Sequence, residues 1–446
     1  MTRRTAAPQR DVHRIRALGA VGVLALTCLA PAVAEAGNRE GLVFGPAAAT
    51  TAGAAAVTAT GAEAAVYNPA GLIGARNELQ IGVSAWSVRS FRAPEAAQVT
   101  ADLTRDLRGT GLVLAPPAMA STMRLAPRVL GGFSVRVEEI DQMRLGIDTT
   151  WDDGDRQNRA AIDLALVRQT LRGGAAVGVD LDGGWSVGVG LDGVYRTEVG
   201  RSRVFLQAVD ADGVVEVVAV DLDVDDAGIG IEAVAGVLWS NERWSVGATI
   251  RGPEVQIASR ERGGALLVGA AEDVAVGEFV TVDEGIGIDT GRAGPIRMRA
   301  GVRRTTGRGL VAASFTLAAP VRDVALGADQ DPLWNVQLGG RAQLSDRVAL
   351  GGGVFTDRSA ERDPSYLRGP VDFYGAAVGL HRRDPISLGA SERVDSIVFE
   401  TTVGLRYAAG FGRMAAFDIT DSVDRDRIVD TRADEVTITL INGVRF

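Results

Sequence analysis

The chain contains one cysteine and no lysine. Cys28 is the only cysteine, and it lies in an apolar stretch near the N-terminus. We therefore expect no disulfide and no cysteine-ligated metal in the rest of the chain. All 47 basic residues are arginine, and the formal net charge is -9. An acidic chain without lysine argues against a polyanionic partner, so we expect no nucleic-acid binding.

Long apolar runs are also scarce. After residue 36 no run of about 18 apolar residues occurs, which argues against a membrane-spanning helix. Residues 1–36 have an arginine-rich start, an apolar centre from about Ala17 to Ala30, and small residues ending in Ala32-Val33-Ala34 or Ala34-Glu35-Ala36. That order is typical of a signal peptide. We expect an exported protein, and a closed barrel remains a way for it to cross a membrane.

Motifs for catalysis or cofactor binding are few. His381 is the only histidine after residue 36, and no G-x-S-x-G motif accompanies it. Gly188 to Gly193 matches G-x-G-x-x-G, but the match lies inside an alternating strand with no helix after it, so inward-facing glycines that leave room in a barrel explain it better. We expect no enzyme activity and no cofactor. The alternative is a barrel hydrolase that uses His381.

One acidic stretch imitates a calcium-binding loop. It runs from Asp221 to Asp226 and has Glu232 at the twelfth position. Its sixth residue is Asp226, where such a loop requires glycine, and predicted strands rather than helices flank it. Solvated turns are the simpler interpretation, loose calcium binding by an outer loop stays open, and we assign no metal site.

From Leu79 onwards apolar and polar residues alternate with period two, which indicates strands with two different faces. Fourteen such segments can be counted, and an even number is typical of bacterial outer-membrane barrels. The segments are 77–91, 112–124, 128–138, 160–180, 185–197, 227–240, 244–257, 294–305, 309–319, 332–344, 347–357, 371–381, 394–408 and 433–446.

The connections between these segments are alternately short and long, as at the two rims of an outer-membrane barrel. Tight turns such as Asp182-Gly183-Gly184 contrast with long connections, which we expect to be loops. The last segment ends in Phe446, which resembles an insertion signal for the barrel assembly machinery. The sequence predicts an all-β protein, a transmembrane antiparallel β-barrel of about 14 strands; a soluble β-sandwich is the alternative. The long connections are 92–111, 139–159, 198–226, 258–293 and 409–432.

Charged residues lie on the faces that should point into the barrel. Arg297, Arg299 and Arg303 share one predicted strand, and arginine forms bidentate pairs with carboxylates. These three are our candidates for binding a carboxylate head group. A structural network of paired charges lining the lumen is the alternative. The inward set also contains Arg136, Glu138, Glu232, Arg251, Arg341, Glu400 and Arg406.

A Gly/Ala-rich stretch precedes the first strand and contains Ala64-Ala65-Val66-Tyr67-Asn68-Pro69-Ala70-Gly71-Leu72. Alone, the Asn-Pro step indicates a rigid turn, because proline fixes its own φ and restricts the residue before it. Followed by a barrel, the stretch resembles the N-terminus of the FadL/TodX family of outer-membrane transporters for long-chain fatty acids and hydrophobic compounds. Gly353 to Asp357 and Val371 to Gly375 are similar to later strands of divergent members.

The resemblance implies a division of the chain into a signal peptide (1–36), an N-terminal hatch inside the lumen (37–76) and the barrel (77–446). It implies that Asn68, Pro69, Ala70 and Gly71 form the hatch tip. A hydrophobic solute would bind among the outer loops, reach a pocket near the hatch and leave sideways at a kinked strand, for which Gly131-Gly132 is the candidate kink.

The resemblance also implies surroundings and partners. The protein would be a monomer in the outer membrane, in contact with lipid and lipopolysaccharide, and its substrate would be a hydrophobic small molecule. The alternative function is a structural or adhesive barrel that acts through its long acidic outer loops.

Overall fold

The computed structural model describes residues 43–75, 77–100, 102–115, 118–154, 156–271, 274–287, 294–323, 328–360, 370–386, 397–418 and 427–445. The predicted signal peptide and Phe446 lie outside the described residues. Two short α-helices come first, α1 (Pro46–Thr50) and α2 (Ala64–Tyr67), with 3-10 turns at Ala56–Thr58 and Pro69–Gly74. In the described part of the chain, no helix has the length and apolarity needed to cross a bilayer.

Twenty strands follow the helices in the described part of the chain. They are β1 (Glu78–Thr100), β2 (Leu103–Ala115), β3 (Ala118–Ala126), β4 (Val129–Asp153), β5 (Arg156–Asp180), β6 (Trp185–Val209), β7 (Val215–Ser240), β8 (Trp244–Arg251), β9 (Val255–Ala271), β10 (Val274–Gly287), β11 (Arg297–Thr306), β12 (Gly309–Ala318), β13 (Val321–Asp323), β14 (Ala328–Gln330), β15 (Leu333–Gln343), β16 (Val348–Asp357), β17 (Val371–Ile386), β18 (Ile397–Ala415), β19 (Phe417–Asp418) and β20 (Ile428–Arg445).

Fourteen antiparallel strands form a closed barrel wall. Its order is β1-β3-β4-β5-β6-β7-β8-β11-β12-β15-β16-β17-β18-β20, and β20 pairs with β1 from Glu78↔Arg445 to Arg92↔Arg432. Strands β2 and β3 lie end to end along the same side of β1, because Ala85↔Ala115 and Gly82↔Ala118 belong to one register. Strand β2 therefore extends β3. The closed wall confirms the predicted fold class, and each of the fourteen predicted segments corresponds to one wall strand.

The long connections were predicted wrongly as loops. Much of their length is strand: β4 runs to Asp153, β5 starts at Arg156, and β9 and β10 form a hairpin that pairs with the outer part of β7. Exposed ion pairs cross these extensions, for example Arg159–Asp148 at 2.6 Å and Arg144–Asp163 at 2.7 Å. Charged residues replace apolar ones on the outer face of these extensions, so the apolar-outside, polar-inside pattern of the wall does not continue into them.

The two faces of the wall differ in polarity. On β6, Trp185, Val187, Val189 and Leu191 are exposed on the outside, whereas Ser186, Gly188 and Asp192 are buried inside. The same apolar exterior continues around the barrel, with Val246, Val311, Leu338, Val354, Val378 and Leu405 all exposed. An apolar exterior on a closed β-barrel is what a hydrocarbon environment requires. The buried groups of the protein therefore lie in the lumen.

Candidate functional site in the lumen

Residues 43–75, which we call the luminal segment, pack against the inner face of the wall. Nine of its alanines and Val57 are at most 2 % exposed, and the 3-10 turn at Pro69–Gly74 contacts β4, β5, β6 and β7. Small side chains allow this backbone to approach the strands closely. The segment therefore fills the interior of the barrel rather than extending from it.

Asn68 joins two parts of the luminal segment to the wall. Its Nδ2 donates to the carbonyl oxygen of Val57 at 2.9 Å and to that of Val237 on β7 at 3.2 Å, while its Oδ1 accepts from the amide of Ala70 at 3.2 Å. The backbone of Asn68 is extended, as expected before proline, and Pro69 opens the 3-10 turn. The predicted hatch-tip residues Asn68, Pro69, Ala70 and Gly71 are all buried.

Glycines on the inner face of the wall make room for the luminal segment. A Cβ on Gly188 would come within 2.4 Å of the Pro69 carbonyl carbon, and one on Gly236 within 2.0 Å of the Asn68 side chain. The prediction that Gly188 keeps room inside the barrel is confirmed. The same close approach recurs from strand to strand, at Gly132, Gly178, Gly247, Gly301, Gly339, Gly351 and Gly379.

Glu63, which precedes α2, joins the start of that helix to α1 within the luminal segment. Its two carboxylate oxygens accept from the amide of Ala47 at 3.3 and 3.1 Å, and the side chain is 4 % exposed. Gly45 faces this carboxylate with φ at 89°, and a Cβ there would lie 2.0 Å from Glu63 Oε2. Burial, and then the neighbouring Glu78, raise the pKa of Glu63 to about 8.

A cluster of buried charges lies on the inner wall beside the luminal segment; we call it the luminal charge cluster. At its centre Arg172, fully buried, contacts Glu138, lies 2.6 Å from Glu232 and lies 3.2 Å from Glu254. Opposite charges in direct contact compensate one another's desolvation. Its other members are Arg136, Asp192, Arg196, Arg251 and Arg297.

Arg251 connects the luminal charge cluster to the luminal segment. Its Nη1 lies 3.0 Å from Asp192 and 3.0 Å from Glu232, and its Nη2 donates to the carbonyl oxygen of Val66. The cluster thus orients the end of α2, next to the Asn68-Pro69 step.

The three candidate carboxylate-binding arginines have different surroundings. Arg297 is committed to the luminal charge cluster, at 2.8 Å from Glu232 and 3.3 Å from Glu138. Arg299 donates to Thr316 at 3.0 Å and lies over the Tyr67 ring at 5.9 Å. Arg303 lies further along β11 and lines a cavity. The structure therefore does not bring the three into one site.

An apolar cluster lies in the part of the barrel away from the short turns. Phe91, Leu107, Leu145 and Phe373 belong to it, and Ala52 of the luminal segment packs into the same cluster. A lipophilic solute that entered from this side would meet apolar side chains before it met the luminal segment. Further members are Ile162, Leu164, Val204, Val220, Leu222, Phe355, Val371 and Met414.

One seam of the wall has an interrupted ladder. Strand β4 pairs with β3 from Met119↔Val135 to Ala126↔Val129 and with β2 only at Arg108↔Gly146 and Gly109↔Leu145. Both stretches share one register, yet no pairing joins the described residues between them. In the sequence that interval contains Pro116 and Pro117, which have no N–H to donate.

The predicted kink glycines lie near this seam but within regular pairing. Gly131 and Gly132 pair on one side with Met123 and Thr122 and on the other with β5. A Cβ on Gly132 would lie 2.8 Å from Leu72, so close approach of the luminal segment accounts for it. The register shift of β4 against β5 comes later, between Val137 and Glu139.

His381 and the acidic stretch have partners within the wall. His381 is buried, its Nδ1 lies 2.8 Å from Thr402 Oγ1, and its Nε2 accepts from Arg383 at 3.1 Å. Asp221 and Asp223 lie in β7 and pair with Arg203 and Arg201 on β6. Within the described ranges, no group of three His, Cys, Asp or Glu side chains is placed to hold a metal ion.

Solved structures of bacterial transporters share this architecture. A FadL homologue from Pseudomonas aeruginosa superposes with a TM-score of 0.56 at 14% identity, covering 90% of this chain and 97% of that one. The chain has the fold of the FadL family. The FadL fold is shared with the toluene transporters TbuX of Ralstonia pickettii (TM-score 0.52, 14% identity) and TodX of P. putida (0.55, 11%), each over 90% of this chain and 98% of the other. No family model and no curated protein matches the sequence.

Sequence reasoning missed three parts of this FadL fold. The partners of Arg172 lie on β4, on β7 and in the connection between β8 and β9. The glycines of the inner face meet a segment more than fifty residues away, and the interrupted seam involves a segment that was counted as one uniform strand. The Pro116-Pro117 pair in the middle of predicted strand 112–124 was a signal for the last of these, because proline is rare inside a paired strand.

Proposed function

We propose that the protein is an outer-membrane channel for the passive uptake of hydrophobic small molecules, in which the luminal segment is the hatch. The observation that carries the proposal is the arrangement of the lumen. A segment of small residues fits against inner-face glycines, and an apolar cluster lies directly above it. Fold likeness to transporters of toluene supports the same class of cargo.

The arrangement suits a lipophilic solute physically. Such a solute is held back by a polar lipopolysaccharide layer, and an apolar compartment lowers its free energy once it leaves water. In this proposal the short turns face the periplasm, as in outer-membrane barrels, and the apolar cluster receives the solute from outside. The solute then displaces the hatch, which can move at a small packing cost because its side chains are small.

The exit in this proposal is lateral, at the seam between β2–β3 and β4. The ladder there is interrupted, so strands can separate without breaking many hydrogen bonds. Glu138 lies beside the register shift of β4 and contacts Arg172 and Arg297. Opening of this seam would therefore be coupled to the luminal charge cluster.

A reversible tether tests the hatch role. The ideal Cβ position of Gly404 on β18 lies 3.7 Å from the Cβ of Ala49 in α1, within the range of a disulfide. The variant carries Ala49→Cys, Gly404→Cys and Cys28→Ser. Uptake of radiolabelled toluene or oleate into cells should fall several-fold in the oxidised form and recover on addition of a reductant.

The same protein before and after reduction is its own control, and each single-cysteine variant controls for the substitution. Equal uptake by the oxidised and reduced forms would remove the hatch from the mechanism. Deletion of the β9–β10 hairpin addresses the adhesive alternative: uptake should persist, whereas an adhesive barrel would lose partner binding.

A further inference from the structure

A second candidate site lies at the opposite end of the luminal segment from the apolar cluster. A cavity of about 180 Å³ opens there between the luminal segment and the wall. Four arginines line it, each from a different strand: Arg303 on β11, Arg341 on β15, Arg383 on β17 and Arg445 on β20. All four lie within three residues of the short-turn end of their strands.

Two of these arginines are paired with carboxylates. Arg445 lies 3.5 Å from Glu78 and 3.3 Å from Glu400, and Arg383 lies 2.9 Å from Glu400. Their charges are therefore largely compensated, and they form one wall of the cavity.

The other two arginines, Arg303 and Arg341, have no carboxylate within ion-pair distance among the described residues. Arg303 donates from Nη2 to Ser245 at 2.9 Å, but its buried Nε has no acceptor among the described residues. Arg341 makes neither a hydrogen bond nor an ion pair with any residue that the structure describes. A buried donor without an acceptor is costly, so an acceptor that entered the cavity would be stabilised.

The charge balance of the cavity is positive. The four guanidinium groups face three carboxylates, those of Glu63, Glu78 and Glu400. Burial, and then Glu78, raise the pKa of Glu63 to about 8, so its carboxyl group is mostly neutral near pH 7. This neutral carboxyl group increases the excess of positive charge in the cavity.

We propose that this cavity binds a compact oxyanion, a carboxylate or a phosphate, through Arg303 and Arg341. Arginine suits both groups because its planar N–H fork matches two oxygens of one anion. The anion has two possible sources, a free solute or the head group of an amphiphile. The inference does not depend on the proposed function, since it concerns binding at equilibrium and not transport.

Calorimetric titration of the detergent-solubilised protein tests this site. Inorganic phosphate and acetate should bind the wild-type protein saturably, and Arg303→Gln with Arg341→Gln should weaken binding at least about tenfold. The matched control is Arg304→Gln with Arg382→Gln, two exposed arginines that each neighbour a cavity arginine along the strand. The control should bind like the wild type.

Absence of saturable binding of both anions to the wild type would overturn the proposal. An equal loss of binding in the control pair would overturn it too.

A second variant covers the case in which the glutamine pair does not fold. Arg303→Lys with Arg341→Lys keeps both positive charges. It should bind each anion more weakly than the wild type and more tightly than the glutamine pair. Heat-modifiable migration in a detergent gel checks that each barrel is closed.

Dodecanoate separates the two sources of the anion. If the site serves a head group, dodecanoate binding will show the same dependence on Arg303 and Arg341 as phosphate. If it serves free solutes, only phosphate and acetate will show that dependence. Because no uptake is measured, a failure of this proposal is distinguishable from a failure of the uptake channel.

Discussion

The side-chain amide of Asn68 donates to the carbonyl oxygen of Val237 and joins the luminal segment to β7 across 169 positions of sequence. The same nitrogen also donates to Val57, and the oxygen accepts from Ala70. Aspartate has no N–H to donate, and glutamine would place the amide one methylene further out, against a wall without space at Gly236. The geometry thus explains why asparagine precedes Pro69.

Asn68→Ala should loosen the luminal segment without opening the wall. The substitution leaves buried carbonyl and amide groups unsatisfied, at a cost of about 1–3 kcal/mol each. We expect higher single-channel conductance and faster amide hydrogen exchange in residues 43–75. Asn442→Ala, a change on β20 away from the luminal segment, is the control and should leave both unchanged; equal effects of the two variants would contradict this role of Asn68.

Gly188→Ala should displace the turn that begins at Pro69. The added methyl group would lie within 2.4 Å of the Pro69 carbonyl carbon, and overpacking of this kind costs about 1–3 kcal/mol. Conductance should rise as the luminal segment shifts. Gly193→Ala on the same strand is the matched control, since its nearest atom would be 3.6 Å away. The argument fails if Gly188→Ala conducts like the wild type.

The alternation of apolar and polar residues predicted the wall strands because each of them has one face toward lipid and one toward the lumen. Residues such as Val187 and Ser186 alternate along one strand, and that signal is local. The hairpin extensions escaped detection since charged residues such as Arg144, Asp148 and Arg159 take the place of apolar residues on their outer face. Contacts between side chains inside the barrel depend on closure of the whole wall, so no local sequence pattern predicts them.

The same limit applies to the candidate site. Sequence alone placed Arg297 and Arg303 on one inward face, which the structure bears out. Their partners come from other strands: Glu232 on β7 for Arg297 and Ser245 on β8 for Arg303. Only three-dimensional pairing could therefore separate Arg297, which contacts two carboxylates, from Arg303, which has no carboxylate partner among the described residues.

Arg172→Met should destabilise the barrel strongly. It leaves Glu138, Glu232 and Glu254 with less compensation in a buried setting, and breaking such a contact costs about 3–5 kcal/mol. The temperature at which the folded band disappears from a detergent gel should fall. Arg144→Met removes an exposed pair worth about 0–1 kcal/mol and serves as the comparison. Similar shifts for both variants would contradict a structural role for the luminal charge cluster.

Docking of the luminal segment should weaken as the pH rises. The pKa of Glu63 is raised from 4.5 to about 8, so the folded protein holds this proton more tightly than the unfolded chain does. The free energy of docking therefore becomes less favourable between pH 4.5 and 8, by at most about 1.4 kcal/mol per pH unit.

Conductance measured from pH 5 to 9 checks this dependence. It should increase with pH in the wild type and stay flat in Glu63→Gln, because glutamine is neutral throughout and still accepts from Ala47. A wild-type profile that matches Glu63→Gln at every pH would exclude Glu63 as the titrating group.

Closure of the interrupted seam should block exit of the cargo. Extension of the β3–β4 register places Leu112 opposite Gln142, and both side chains are exposed on the outer face. In a background with Cys28→Ser, Leu112→Cys and Gln142→Cys should form a disulfide across the gap. We expect uptake of a lipophilic solute to drop several-fold on oxidation, whereas conductance of ions through the lumen stays the same.

A matched disulfide across an intact ladder shows whether the position matters. Val187 and Val237 are paired on β6 and β7, so Val187→Cys with Val237→Cys staples a continuous seam. This control should not affect uptake, because those strands are already held together by their ladder. If both staples lower uptake equally, general stiffening of the barrel is responsible; if neither does, the solute leaves elsewhere. A selective effect at Leu112 and Gln142 would locate the exit between β2–β3 and β4.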